Sequence, residues 1–236
     1  AHFGANLVYT KNSTQGVPNR SFTESTNAFS ITHLRFPAGQ GDGVDPILEG
    51  SEWINVVKMP EGRLRSELVN FLEHCVQSGS KATLVIPTKF LTETDYVDFG
   101  PRIKEFAKAV LERFSSVIEA FEIGNEYWEM GETAYAKKAD IAIRALNEAM
   151  TSTGIAKTPS ILVQLGSPNN GSEFHFTAPG AEGMSFAERL SLCNERIIAL
   201  LSDEAKSAVG GAVDHYYFSR SDPSFPQDSG SFNYIN

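Results

Sequence analysis

Apolar positions recur along this chain with two different periods. Runs of six or seven residues rich in aliphatic and aromatic side chains stand at FGANLVY (3–9), ITHLRF (31–36), ATLVIP (82–87), IEAFEIG (118–124), ILVQLG (161–166) and AVDHYYF (212–218). They predict six strands. Between them the period lengthens to that of a helix. In SELVNFLEHCVQSG (66–79), Leu68, Phe71, Leu72, Cys75 and Val76 share one face and Gly79 supplies a stop. In PRIKEFAKAVLERFSS (101–116), Pro101 suits a first helical turn, and Ile103, Phe106, Ala107, Val110, Leu111 and Phe114 form the apolar stripe. Residues 133–153 and 185–206 repeat this pattern at greater length. Only the first connection is weak: residues 10–30 are rich in Ser, Thr and Asn and hold at most a short helix around Phe22 to Phe29.

Strands alternating with helices predict an α/β fold on a parallel sheet, because parallel neighbours need a crossover and a helix provides it. Two architectures satisfy this, an open doubly wound sheet and a (β/α)8 TIM barrel. A nucleotide-binding doubly wound fold would carry a glycine-rich phosphate loop at its first βα turn, and VYTKNSTQG is not one. The barrel is therefore favoured, as a single domain over residues 1–236. Eight units of such a barrel take about 250 residues, whereas six already reach residue 218 and the last 18 residues, SRSDPSFPQDSGSFNYIN, hold no further strand and helix pair. The expectation is an incomplete barrel of about six units, its seventh and eighth strands missing. An unusual open α/β domain is the alternative. An incomplete barrel would expose the edges of its first and sixth strands, and such edges invite self-association.

Composition narrows the partners. The 29 acidic and 20 basic residues give a formal net charge of -9, with no basic run to neutralise a phosphate backbone, so nucleic acid and anionic membranes are poor partners. No stretch reaches the 18 or so apolar residues of a membrane span. The opening AHFGANLVYT has no basic region followed by a long apolar segment, so a secreted form is expected to have shed its leader. Cys75 and Cys193 fall within helical patterns among apolar neighbours and read as buried free thiols. No His, Cys or carboxylate cluster has metal-ligand spacing, and neither a metal nor a cofactor is assigned. GQGDGVD (39–45) faintly resembles a calcium-binding repeat, but one copy reads as a loop. Sequons at Asn12 and Asn170 carry meaning only in a eukaryotic secretory pathway.

In barrels, functional residues gather at the C-terminal ends of strands. Those ends here offer Arg35, Phe36 and Pro37; Pro87, Thr88 and Lys89; Asn125, Glu126, Tyr127 and Trp128; Ser167, Pro168, Asn169 and Asn170; and His215, Tyr216 and Tyr217. The fourth set is the densest. An apolar run alternating with Glu119 and Glu122 breaks at Gly124, and a carboxylate, an amide and two large aromatics follow at once. Trp53 and Tyr96 lie in loops that could reach the same cleft, although packing on a neighbouring helix is the simpler role. Taken alone, His215 on an apolar strand reads as a hydrogen-bonded core histidine.

LRFPAG, EIGNEYW and DHYYF, at the second, fourth and sixth strands, together resemble the retaining glycoside hydrolases of clan A, in the branch with a Gly-Asn-Glu motif. That branch includes xylosidases, glucuronidases, heparanase-like enzymes and arabinofuranosidases, and the resemblance spans all six strands. It implies a glycosidase acting on a poly- or oligosaccharide, secreted or extracellular. Glu126 matches the general acid/base, Asn125 the amide at the sugar 2-hydroxyl, and Arg35 the guanidinium holding the catalytic carboxylates. His215 and Tyr217 match positions lining the site. Tyr127 and Trp128 would offer flat faces to sugar rings and raise a carboxyl's pKa by desolvation. Such an acid is first protonated to help the leaving oxygen depart and then deprotonated to activate water. The same mechanism needs a second carboxylate about 5 Å away, which the clan takes from its seventh strand. Glu173, Glu182 and Asp214 do not match it. A carbohydrate-binding barrel domain without catalysis is the competing expectation.

Overall fold

The computed structural model describes residues 4–39, 56–89, 96–168 and 171–215. Trp53, residues 40–45, Asn169, Asn170, Tyr216 and Tyr217 lie outside them, as does the Tyr96 side chain.

Six strands form one sheet in which every neighbouring pair is parallel: β1 (Gly4–Asn6), β4 (His33–Phe36), β5 (Lys81–Ile86), β6 (Ile118–Ile123), β7 (Ser160–Gln164) and β8 (Gly211–Val213). Their spatial order is their chain order. A doubly wound sheet reverses direction at a switch point; here each crossover moves one place in the same direction. The sheet curls into a half-barrel with helices between its strands. Among the described residues β1 and β8 are its two edges.

Strand alternation separates two faces. Leu34, Phe36, Leu84, Ile86, Phe121, Ile123 and Ile161 point outward into the core, against α3 (Ser66–Ser78), α4 (Tyr96–Phe114) and α5 (Glu132–Thr153). Phe36 stacks on Phe71 of α3 with ring centroids 4.4 Å apart. Arg35, Thr83, Val85, Glu122 and Gln164 occupy the alternate positions and face the concave side. Cys75 and Cys193 are buried and free, as their settings imply.

Local chemistry sets the boundaries and corrects several expectations. The first strand stops at Asn6. Residues Tyr9–Asn12 then form α1, whose first turn is closed by the Asn12 side chain accepting from the Val8 amide at 3.0 Å. A hairpin of β2 (Ser13–Thr14) and β3 (Val17–Pro18) follows, its turn made by Gln15 and Gly16, both at positive φ. Gly16 is irreplaceable there, since a Cβ would lie 1.8 Å from the Glu67 carbonyl oxygen. The short helix expected near Phe22 is α2 (Arg20–Ala28), capped by Asn19, whose side chain accepts from the Phe22 amide.

Helix α4 begins at Tyr96, five residues before Pro101, because the chain is already helical where Phe99 is buried. The pattern over 185–206 is two helices rather than one. α6 (Phe186–Leu200) opens with a Ser185–Glu188 capping box, and Ser202 caps α7 (Asp203–Ala208) by accepting from the Ala205 amide. A second serine cap ends one helix's run and starts another.

Candidate active site

At the end of β6 the backbone leaves regular structure at two positions close together. Gly124 has φ +76° and Glu126 φ +52°, ψ +61°. Gly124 cannot be replaced without displacement, because a Cβ would stand 2.7 Å from Thr88 Oγ1 and 3.2 Å from the Tyr135 ring. A left-handed glutamate is uncommon and costs on the order of 1–3 kcal/mol, which the surroundings must supply. The two left-handed residues turn the chain sharply off the strand.

That turn brings Asn125 and Glu126 to where Arg35 and His215 arrive from other strands. Arg35 on β4 reaches across β5 to Glu122 on β6 in a forked pair, Nε to Oε2 at 2.6 Å and Nη2 to Oε1 at 2.7 Å. The same Nη2 donates to Asn125 Oδ1 at 2.8 Å, and Nη1 lies 3.4 Å from Asn6 Oδ1 on β1. His215, just past β8, sits between two carboxylates: Nδ1 is 3.2 Å from Glu126 Oε1 and Nε2 is 3.5 Å from Glu122 Oε1. Gln164 on β7 completes the ring, with Nε2 at 3.5 Å from Glu122 Oε1 and Oε1 accepting from the Tyr127 amide at 3.3 Å. Arg35, Asn125, Glu126 and His215 thus converge at the C-terminal end of the sheet, linked through Glu122.

Burial orders these groups. Glu122 is 1% exposed and Asn125 3%, while the Glu126 side chain keeps 19% of its surface open. Burial would push the Glu122 carboxyl up, but the Arg35 guanidinium and His215 hold it below the usual range. Burial likewise pulls His215 down, yet its contacts with Glu122 and Glu126 outweigh this against the opposing charge of Arg35, and its pKa rises to about 9. Trp128, Gln164, Leu165, Ser167, Val213, Asp214 and His215 line a small recess beside the cluster.

Tyr127 requires correction. Expected as a face for sugar rings, it is fully buried and stacks on Tyr135 with centroids 4.6 Å apart. The left-handed turn at Glu126 sends the next residue down into the core. Its hydroxyl accepts from the Ser167 amide at 2.9 Å and donates to Glu132 Oε1 at 3.0 Å. Glu132, at the first position of α5, also accepts from Ser172 Oγ and the Glu173 amide. The Tyr135 hydroxyl donates to the Ile123 carbonyl and accepts from the Gln164 amide, tying β6 to β7. The two stacked tyrosines therefore anchor the turn that carries Glu126 in the core. Thr88, at the end of β5, is also buried; its carbonyl accepts from Lys138 Nζ.

No family model matches the chain, and no curated protein matches it significantly. Function must then be read from the side chains. Sequence reasoning missed Glu122, Gln164 and the Tyr127–Glu132 anchor. The available signal was phase: Arg35 and Glu122 occupy inward positions on strands two apart. Among the described residues, no group of three or more His, Cys, Asp or Glu could hold a metal ion, and no helix is long and apolar enough to cross a membrane.

Proposed function

We propose that the chain is the six-strand portion of a (β/α)8 barrel of glycoside hydrolase type, with Glu126 as general acid/base toward a poly- or oligosaccharide. The observation that carries this reading is the contact of His215 Nδ1 with Glu126 Oε1 at 3.2 Å, beside Asn125, which Arg35 of β4 holds at 2.8 Å. A partly open carboxylate beside an imidazole, on a turn anchored by buried tyrosines, is the arrangement a proton-transfer group needs. Trp128 and His215 border the recess next to it and supply the apolar and polar surface for a sugar ring.

Retention of configuration needs a second carboxylate about 5 Å from the first. Glu122 has both oxygens bound by Arg35, and the nucleophile would come from a seventh strand outside the described residues. The same commitment of Glu122 favours a second reading, a sugar-binding domain without turnover. Activated aryl glycosides should be hydrolysed poorly or not at all by these six strands alone, and they separate the two readings in a chain that carries all eight strands. Hydrolysis that Glu126→Gln abolishes supports the enzyme, and binding without hydrolysis supports the binder.

Sugar recognition itself is tested by titrating an oligosaccharide panel while following Trp fluorescence. Affinity on the order of millimolar is expected for so small a recess, lost in Trp128→Ala and kept in Glu126→Gln. A chain folded by circular dichroism that responds to no neutral or acidic oligosaccharide would overturn both readings.

A further inference from the structure

The placement of His215 constrains its protonation. Both ring nitrogens face carboxylate oxygens, Glu126 on one side and Glu122 on the other. A neutral imidazole has one N–H, so its second nitrogen would set a lone pair against a carboxylate; only the imidazolium presents a donor to each. The two carboxylates are not equivalent. Glu122 is gripped through both oxygens by Arg35 and its side chain is 2% exposed, whereas Glu126 follows a left-handed turn and is the more open of the pair. Glu122 therefore fixes the ring, and the ring addresses Glu126.

We propose that Glu122 is a positioning residue: anchored by Arg35, it orients the His215 ring so that the opposite nitrogen holds Glu126 as a carboxylate and keeps in reserve the proton that Glu126 needs as an acid. The inference rests on the reading of Glu126 as acid/base. Transfer of that proton from Nδ1 to Oε1 leaves a neutral imidazole and a protonated carboxyl, which can pass the proton to a departing glycosidic oxygen. The water that later attacks gives up a proton to Glu126, which returns it to Nδ1. No charge or atom is left over.

The groups facing His215 come from several elements. Glu122 and Glu126 from β6 and its turn favour the cation, and Arg35 from β4 opposes it. Gln164 from β7 is uncharged, and Asp214 is its neighbour in the chain. The pKa of about 9 agrees with the geometry.

The test follows the His215 ring nitrogens and the Glu126 carboxyl carbon by NMR in the whole chain, from about pH 2 to about pH 10, spanning the ordinary Glu and His ranges. In the wild-type chain both ring nitrogens should be protonated at neutral pH, with the titration near 9. Glu122→Gln should lower that midpoint by about one to three pH units. His215→Gln should raise the midpoint of the Glu126 carbon. A wild-type His215 titrating at or below its ordinary value of about 6.5 would overturn the proposal, and this measurement needs no substituted chain to fold. An unchanged Glu126 carbon in His215→Gln would overturn it as well. The functional reading fails separately: a chain with these titrations that binds no sugar loses the glycosidase assignment and retains the charge coupling. One that binds sugar with a neutral His215 does the reverse.

Discussion

On β4 the convex face of the sheet carries Leu34 and Phe36 and the concave face Arg35; on β6 the convex face carries Phe121 and Ile123 and the concave face Glu122. The strands are the same, and the two faces hold them in different ways. Convex side chains meet many apolar neighbours, none of which depends on direction, so shape and volume are what matter. On the concave side Arg35 is directed at Glu122, Asn125 and Asn6, and Glu122 at Arg35, His215 and Gln164; removing one member of the charged pair leaves the other buried and uncompensated.

The sharpest way to break this comparison is a near-isosteric exchange on each face. Glu122→Gln retains the shape but deprives Arg35 and His215 of their counter-charge, and is expected to cost on the order of 3–5 kcal/mol in urea unfolding. Leu84→Met on the convex face, fully buried, should cost less than about 1.5 kcal/mol. Equal losses would show that the faces follow one rule. An intermediate effect is expected from Tyr127→Phe. It removes a hydroxyl shared by Ser167 and Glu132, and should cost about 1–3 kcal/mol while leaving oligosaccharide affinity unchanged. Loss of affinity with stability intact would restore Tyr127 as a sugar-facing residue.

The smallest effect is expected from pH alone, because solvent reaches part of His215 and screens its contacts. Its raised pKa makes its contribution to stability full below the ordinary value of about 6.5, and this is lost as pH rises through about 9. Glu122 acts in the other direction: its depressed pKa contributes fully above the ordinary carboxyl range, and the contribution is lost as pH falls below that range through its own lowered pKa. Thermal midpoints of the wild-type chain should therefore decline at both ends. In His215→Gln the alkaline decline should flatten and the acid one persist. An alkaline limb unaltered by the substitution would assign it to other groups.

Much of this arrangement was legible in the residues. The alternation of periods predicts a parallel sheet with helical crossovers, and Arg35, Asn125, Glu126 and His215 all stand at strand ends. What escaped was whatever depended on register or on one dihedral. Glu122 reads as an ordinary alternation in an apolar run, because its partner Arg35 lies 87 residues away. Tyr127 reads as a neighbour of Glu126 facing the same way until the left-handed turn reverses it. The β2–β3 hairpin is too short to show a period, and its signal is only the Gln15-Gly16 pair. The α6–α7 break was within reach, since Ser202 followed by Asp203 and Glu204 is a helix start.

The chain-order arrangement of the strands also determines when the cluster can exist. Each strand pairing joins consecutive units and closes a modest loop, whereas Arg35 meets Glu122 across 87 residues and His215 meets Glu126 across 89. Those long closures carry their entropy cost unaided unless the intervening strands have already brought the ends together. The charged cluster is thus a late arrival in folding, assembled only on a sheet that already runs from β4 to β8. Opening β5 separates Arg35 from Glu122, and opening β7 separates His215 from both of its carboxylates, so each half of the cluster depends on a different strand.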